Sequence, residues 1–286
     1  MSTLRLGTRG SALALAQARW VADRLGEPVE IVEIATVGDL RRGASDGAGG
    51  PGDKSRWTGA LEQALVAGEI DLAVHSAKDV PGELAEGTAI VAVPPREDAR
   101  DVLVGAPSLR ALPAGARVCT SALRRRAQVL AASPDLAVVE LRGNVDTRLR
   151  KLAAGEVDAL VLAAAGLRRL GRDDVVAAPL EGDVFVPAPG QGCLALQARA
   201  DRRFDAVSDP AGFAALAAER AVVARLGASC HTPVGVHAGA AGLRAFAGLP
   251  DGSEWLIDAA AEPEDLVERM LAAGVADLLA RAEAGA

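Results

Sequence analysis

The chain has 286 residues, half of them apolar and 24% charged, a composition that suits about two core-forming domains. Its formal net charge of −7 gives no general pull toward nucleic acid or an anionic membrane. No run approaches the ~20 apolar residues needed to span a bilayer, so a protein without nucleic-acid or membrane partners is expected.

The N-terminus has arginines on both sides of a short apolar run, without the ordered regions of a secretion signal. Cys119, Cys193 and Cys230 are scattered, and His75, His231 and His237 match no metal spacing. A reduced, cytoplasmic, metal-free protein is expected, with no Cys230–His231–His237 site.

In chain order, LRLGT reads as a strand and SALALAQARWVADRLG as an amphipathic helix with Ser11 near its cap. VEIVEIATV is the next strand, followed by a long, Gly-rich, lid-like loop from Gly38 to about Arg56. Helix WTGALEQALVAGE and strand IDLAVHS complete a βαβαβ pattern, which favours a parallel sheet. A second series runs ARVCTS, ALRRRAQVLAA, AVVELR, NVDTRLRKLAAGE and DALVLAA, again alternating strand and helix. GQGCLALQAR is a further strand and DPAGFAALAAERAVVARLG a long helix. PVGVHAG, LRAFAGLP and EWLIDAAAE then alternate as antiparallel strands, and EDLVERMLAAGVADLLARAEA closes the chain as one helix.

The cations are lopsided, 28 arginines against three lysines, and they gather where strands hand over to helices. Four switches combine a small or hydroxyl residue with a cation: Thr8-Arg9-Gly10-Ser11, His75-Ser76-Ala77-Lys78-Asp79, Thr120-Ser121-Ala122-Leu123-Arg124-Arg125, and Arg142-Gly143-Asn144 running on to Arg148. A helix N-terminus offers unpaired N–H groups and partial positive charge, and arginine adds a planar fork matched to carboxylates. Taken alone, any one switch is also what a capped helix with a solvated arginine looks like. Four sharing the pattern point to a polyanionic ligand held between two α/β domains, beyond the carboxyl ends of the strands. GAGGPGDKS is not a P-loop, because Asp53 separates Gly52 from Lys54. Asp79 is the one acid of HSAKDVP; among cations it stays ionised and suits charge stabilisation or proton shuttling, with a plain ion pair as the alternative.

The motifs LRLGTRGSALALAQA, HSAKDVP, REDARDVLV, TSALRRRAQ, LRGNVDTRL, LAAAGLRRLG, PAPGQGCLALQ and ERA…RLGASCHTPVG run in order over nearly the whole chain. Together they resemble the porphobilinogen deaminase (hydroxymethylbilane synthase) family. The resemblance implies two solute-binding-protein-like α/β domains plus a small C-terminal α+β domain. Their expected limits are 1–96 with 188–209 for domain 1, 97–187 for domain 2 and 210–286 for domain 3. It implies a dipyrromethane cofactor, assembled from substrate and held by a thioether to Cys230. Four porphobilinogen molecules are then condensed head to tail with loss of ammonia, and hydrolysis releases hydroxymethylbilane.

By the same resemblance Asp79 is the catalytic carboxylate. Arg9, Ser11, Lys78, Thr120, Ser121, Arg124, Arg125, Arg142 and Arg148 fall on positions that bind cofactor or substrate carboxylates. Asp39, Lys54, Ser76, Arg168 and Gln191 are further candidates, and a monomer is implied. The chain departs from the family at Ala122, where a hydroxyl residue is common, at Cys119 in place of Gly, and at Trp57 in place of Phe. The competing readings are a two-lobed anion-binding module without catalysis, and a hydrolase using Cys230 and His231.

Overall fold

Strand β1 (Leu4–Thr8) is buried along nearly its whole length, as a strand covered on both faces must be. The computed structural model describes residues 3–36, 55–141, 143–172, 174–228 and 232–285. The chain forms two compact units, Met1–Glu97 with Gly192–Leu216, and Asp98–Gln191 with Ala217–Ala286. Among the described residues no helix is long and apolar enough to cross a membrane.

In the first unit, β1 is followed by α1 (Ala12–Leu25), β2 (Val29–Glu33), α2 (Ser55–Val66), β3 (Leu72–Ser76) and β4 (Thr88–Ala92). Helix α1 starts where expected: Ala14 N–H donates to the Ser11 hydroxyl at 3.3 Å, and Gly26 at φ 71° ends it. Strand β1 runs parallel to β2 and β3. The sheet is nevertheless mixed, not parallel, because Leu194–Arg199 enters between β3 and β4 and runs antiparallel to both. Leu6, Val21, Leu72, Val74 and Leu196 form its core on the α1 side.

The second unit opens with β5 (Asp101–Val104), then β6 (Arg117–Cys119), α3 (Leu123–Ala132), β7 (Ala137–Val139) and α4 (Val145–Ala153). Strand β8 (Ala159–Ala163), helix α5 (Ala164–Arg169) and β9 (Ala177–Pro179) follow, and Leu194–Arg199 of the first unit is β10. The two sheets share one spatial strand order, β2-β1-β3-β10-β4 and β7-β6-β8-β5-β9, although the fourth-placed strand comes last in the chain in the first and first in the second. In the second it is β5 that runs antiparallel to β8 and β9.

After α6 (Pro210–Arg225), strands β11 (Val234–Gly239), β12 (Gly242–Gly248) and β13 (Trp255–Ala260) form a small antiparallel sheet, as their alternation predicts. Val236, Leu266 and Met270 lie in its core. The closing segment is two helices, not one: α7 (Pro263–Ala272) and α8 (Val275–Ala284) are separated at Gly274, whose φ of 93° no continuous helix accommodates. Glu219 of α6 is fully buried and accepts from Gly190 N–H at 2.6 Å and Ala238 N–H at 2.8 Å. It thereby joins the Pro-rich segment before β10 to β11. A side chain at Gly235 would meet Val186 O at 2.5 Å, so only glycine allows this approach.

Candidate active site

The first unit places two of the four switches side by side. Thr8, at the end of β1, is buried and donates its hydroxyl to Ala14 O at 3.2 Å, fixing the turn that carries Arg9 and Ser11. At the end of β3, Ser76 bonds Gln17 of α1, with Gln17 Nε2 donating to Ser76 Oγ at 3.0 Å. A single 3-10 turn, Ala77–Asp79, follows, and Ala77 N–H is held by Cys193 O at 3.0 Å. Arg9, Ser11, Gln17, His75, Ser76 and Asp79 line one cavity of about 70 Å³. Lys78 and Asp79 on the turn are half-buried.

His75 is 5% exposed, and burial pushes its pKa from 6.5 down to about 4. Gln197 offsets part of that and the Arg9 charge adds to it. The imidazole is therefore neutral at pH 7. His75 Nε2, Thr58 Oγ1 and Gln197 Oε1 are buried and form no hydrogen bond among the described residues; His75 and Thr58 both line the cavity. Orphaned polar atoms beside an arginine suit a ligand that brings N–H groups and carboxylates of its own. A pyrrole bearing acid side chains has that chemistry, so the residues present fit a dipyrromethane.

The second unit gathers the other cations. Thr120 is buried, and its Oγ1 accepts from Ala122 N–H at 3.2 Å. Arg148 of α4 reaches back to the Ser121 hydroxyl at 3.2 Å and to Gly143 O at 3.1 Å; burial lowers its pKa. Arg168 pairs with Asp98 at 3.2 Å, and the Arg100 side chain, with Arg168, holds that carboxyl below its usual range.

Arg124 and Arg125 are buried inside this unit around Asp101. Arg124 Nη1 lies 2.7 Å from Asp101 Oδ2, and Arg125 Nη2 lies 2.7 Å from Oδ1. Gln191 donates to Asp101 Oδ1 at 2.9 Å and accepts from Arg125 at 3.3 Å. Gln128 accepts from Arg124 at 2.8 Å. Burial alone would raise the Asp101 carboxyl, yet the two arginines hold it well below the usual carboxylate range.

Sequence reasoning missed Asp101, Gln128 and Gln17. The signal for Asp101 was available: an acid heading the apolar run VLV, in a domain whose helix carries adjacent arginines on its buried side. Asp39, Lys54, Arg142, Cys230 and His231 lie outside the described residues.

Two family models cover the chain: "Porphobilinogen deaminase, dipyromethane cofactor binding domain" over residues 4–205 and "Porphobilinogen deaminase, C-terminal domain" over residues 213–272. The chain belongs to the porphobilinogen deaminase family. Among similar porphobilinogen deaminases, that of Roseiflexus castenholzii is 44% identical over 304 aligned residues, covering 98% of this chain and 99% of its own. That of Rubrobacter xylanophilus is 47% identical, with 99% and 95% covered, and that of Deinococcus deserti 45% identical, with 89% and 88% covered. A solved ancestral cationic amino acid solute binding protein is similar over 72% of this chain and 86% of its own, at 16% identity and TM-score 0.44. The residues matched by the cofactor-domain model of the porphobilinogen deaminase family include both clusters, whereas Cys230 falls within the C-terminal model.

Proposed function

We propose that this chain is a hydroxymethylbilane synthase that joins four porphobilinogen molecules head to tail, with loss of ammonia, on a dipyrromethane held by Cys230. The observation that carries the reading is the cavity that puts Asp79 beside Arg9 and Ser11 in a chain of this family. A two-lobed anion-binding module would have no use for an acid at that place, and a Cys230–His231 hydrolase would have no use for the arginines.

When bound, the dipyrromethane supplies the nucleophilic pyrrole carbon to which substrate units are added. The chain's own residues do the rest. Arg9, Ser11, Ser76 and Lys78 hold carboxylates of the ligand, positioning the substrate's aminomethyl carbon for attack. As ammonia leaves, the substrate ring becomes cationic; the Asp79 carboxylate stabilises that charge and takes part in proton transfer at pyrrole nitrogen. His75, neutral at working pH, adds no further positive charge to the wall.

Each substrate ring brings two carboxylates, so the site must neutralise a growing polyanion. Thr120, Ser121, Arg124, Arg125, Arg142, Arg148, Arg168 and Gln191 serve that need together with Lys54, whereas Asp39 orients the cofactor. Residues 210–286 act as a third domain carrying Cys230, and the enzyme works as a cytoplasmic monomer. Incubating the purified chain with porphobilinogen tests the reading: hydroxymethylbilane should accumulate, and the peptide containing Cys230 should carry the mass of two linked pyrroles. A bare peptide and no tetrapyrrole would refute it.

A further inference from the structure

We propose that Asp101 is a positioning residue for this reaction, fixing the planes of the Arg124 and Arg125 guanidinium groups and so the seat they offer a ligand carboxylate. The inference rests on the reading of the chain as a hydroxymethylbilane synthase.

Asp101 opens β5, the antiparallel strand between β8 and β9, and is 5% exposed. Its two oxygens are divided between two cations, Oδ2 to Arg124 and Oδ1 to Arg125, with Gln191 Nε2 as a third donor. The remaining hydrogen bonds make the arrangement rigid. Arg124 also donates to Gln128 Oε1 at 2.8 Å and Val186 O at 2.9 Å, and Arg125 donates to Val161 O at 3.2 Å. Gln128 Nε2 itself is tied to Val186 O at 2.8 Å.

Among the described residues two buried cations share one buried anion, which leaves a surplus of positive charge. That surplus suits a single ligand carboxylate. Without the central anion the two like-charged guanidinium groups would repel and turn apart, and burial already disfavours the Arg124 charge. Asp101 thus acts through the arginines and need not touch the ligand.

A purely electrostatic role and a positioning role differ in the sign of their effect. Asp101→Asn adds one positive charge at the seat, so if charge alone mattered, porphobilinogen would bind more tightly. If Asp101 sets geometry, KM should rise at least ~10-fold and addition of the two-pyrrole mass to Cys230 should slow by a similar factor. Both are measured on purified protein shown to be folded by circular dichroism, the second by intact-protein mass spectrometry. A folded Asp101→Asn variant with wild-type or lower KM and wild-type loading overturns the inference.

Gln128→Met removes one neutral partner of Arg124 and preserves volume, so it settles the matter should Asp101→Asn not fold. KM should rise a few-fold in that variant, and an unchanged KM again overturns the inference. A wild-type chain that neither loads nor turns over would overturn the activity and this inference together. A competent wild type with an indifferent Asp101→Asn overturns the inference alone.

Discussion

His75 makes the fold of the first unit sensitive to acid, by an amount that follows from its burial. The imidazole is 5% exposed, and its pKa falls from 6.5 to about 4, burial being the main cause. The folded protein therefore refuses a proton that the unfolded chain accepts. This contribution is intact above pH 6.5 and is lost as pH falls from there toward 4. Integrating the linkage gives a loss of about 2 kcal/mol between pH 7 and 5, growing to about 3 kcal/mol at pH 4.

The comparison to make is wild type against His75→Gln, a neutral side chain that does not titrate. Urea midpoints and slopes at pH 7, 6, 5 and 4 give the two pH profiles. Asp71, Asp98 and Asp101, whose carboxyls arginines hold low, weaken both proteins alike as pH falls and cancel in the difference. The wild type should lose about 2 kcal/mol more than the variant between pH 7 and 5. NMR titration of the folded protein should find one histidine near 4. Identical pH slopes, or three histidines all titrating near 6.5, would refute the reasoning.

Asp79→Asn should leave thermal stability almost unchanged, since the side chain is only half-buried, while turnover falls by ~10²–10³ in a tetrapyrrole assay. Cys230→Ser should abolish the stable two-pyrrole adduct by intact mass even after prolonged incubation with porphobilinogen. Phe246, fully buried against Ala127 and Val186, should cost about 3–5 kcal/mol in denaturant unfolding when changed to Ala.

The alternation of strands and helices is legible in the sequence because helices such as α4 and α7 carry one apolar stripe and strands such as β8 an unbroken apolar run. Ser11 shows this at the level of one residue: its place before an apolar period marks a cap, and a cap it is. The partners of a strand are another matter. DVLV and LALQAR are short apolar runs that say nothing of which neighbours they will find, so the antiparallel member of each sheet is invisible until the fold is seen.

The site divides in the same way. Asp79, Arg9 and Ser11 are legible as a constellation because the chain marks each with a turn at the end of a strand. Arg124 and Arg125 are legible as cations near a ligand, but not as side chains already committed to Asp101, since only tertiary packing brings the start of β5 against α3. His75 carries no sequence sign that it is neutral; that follows from burial, which tertiary packing alone decides.

The shared strand order of the two sheets has a consequence for synthesis. The second sheet is complete once residue 179 has emerged, since all five of its strands lie between Asp101 and Pro179. The first sheet begins at Leu4 but lacks β10 until Arg199 has been made, and Leu194 must then find Ser76. Of the two five-stranded sheets, the one begun first is therefore the one finished last. Until then β3 and β4 present open edges to the surroundings of the ribosome, a hazard that closed pairing removes. A nascent chain stalled just beyond β9 should thus hold a protected second sheet and a first sheet still open to proteolysis.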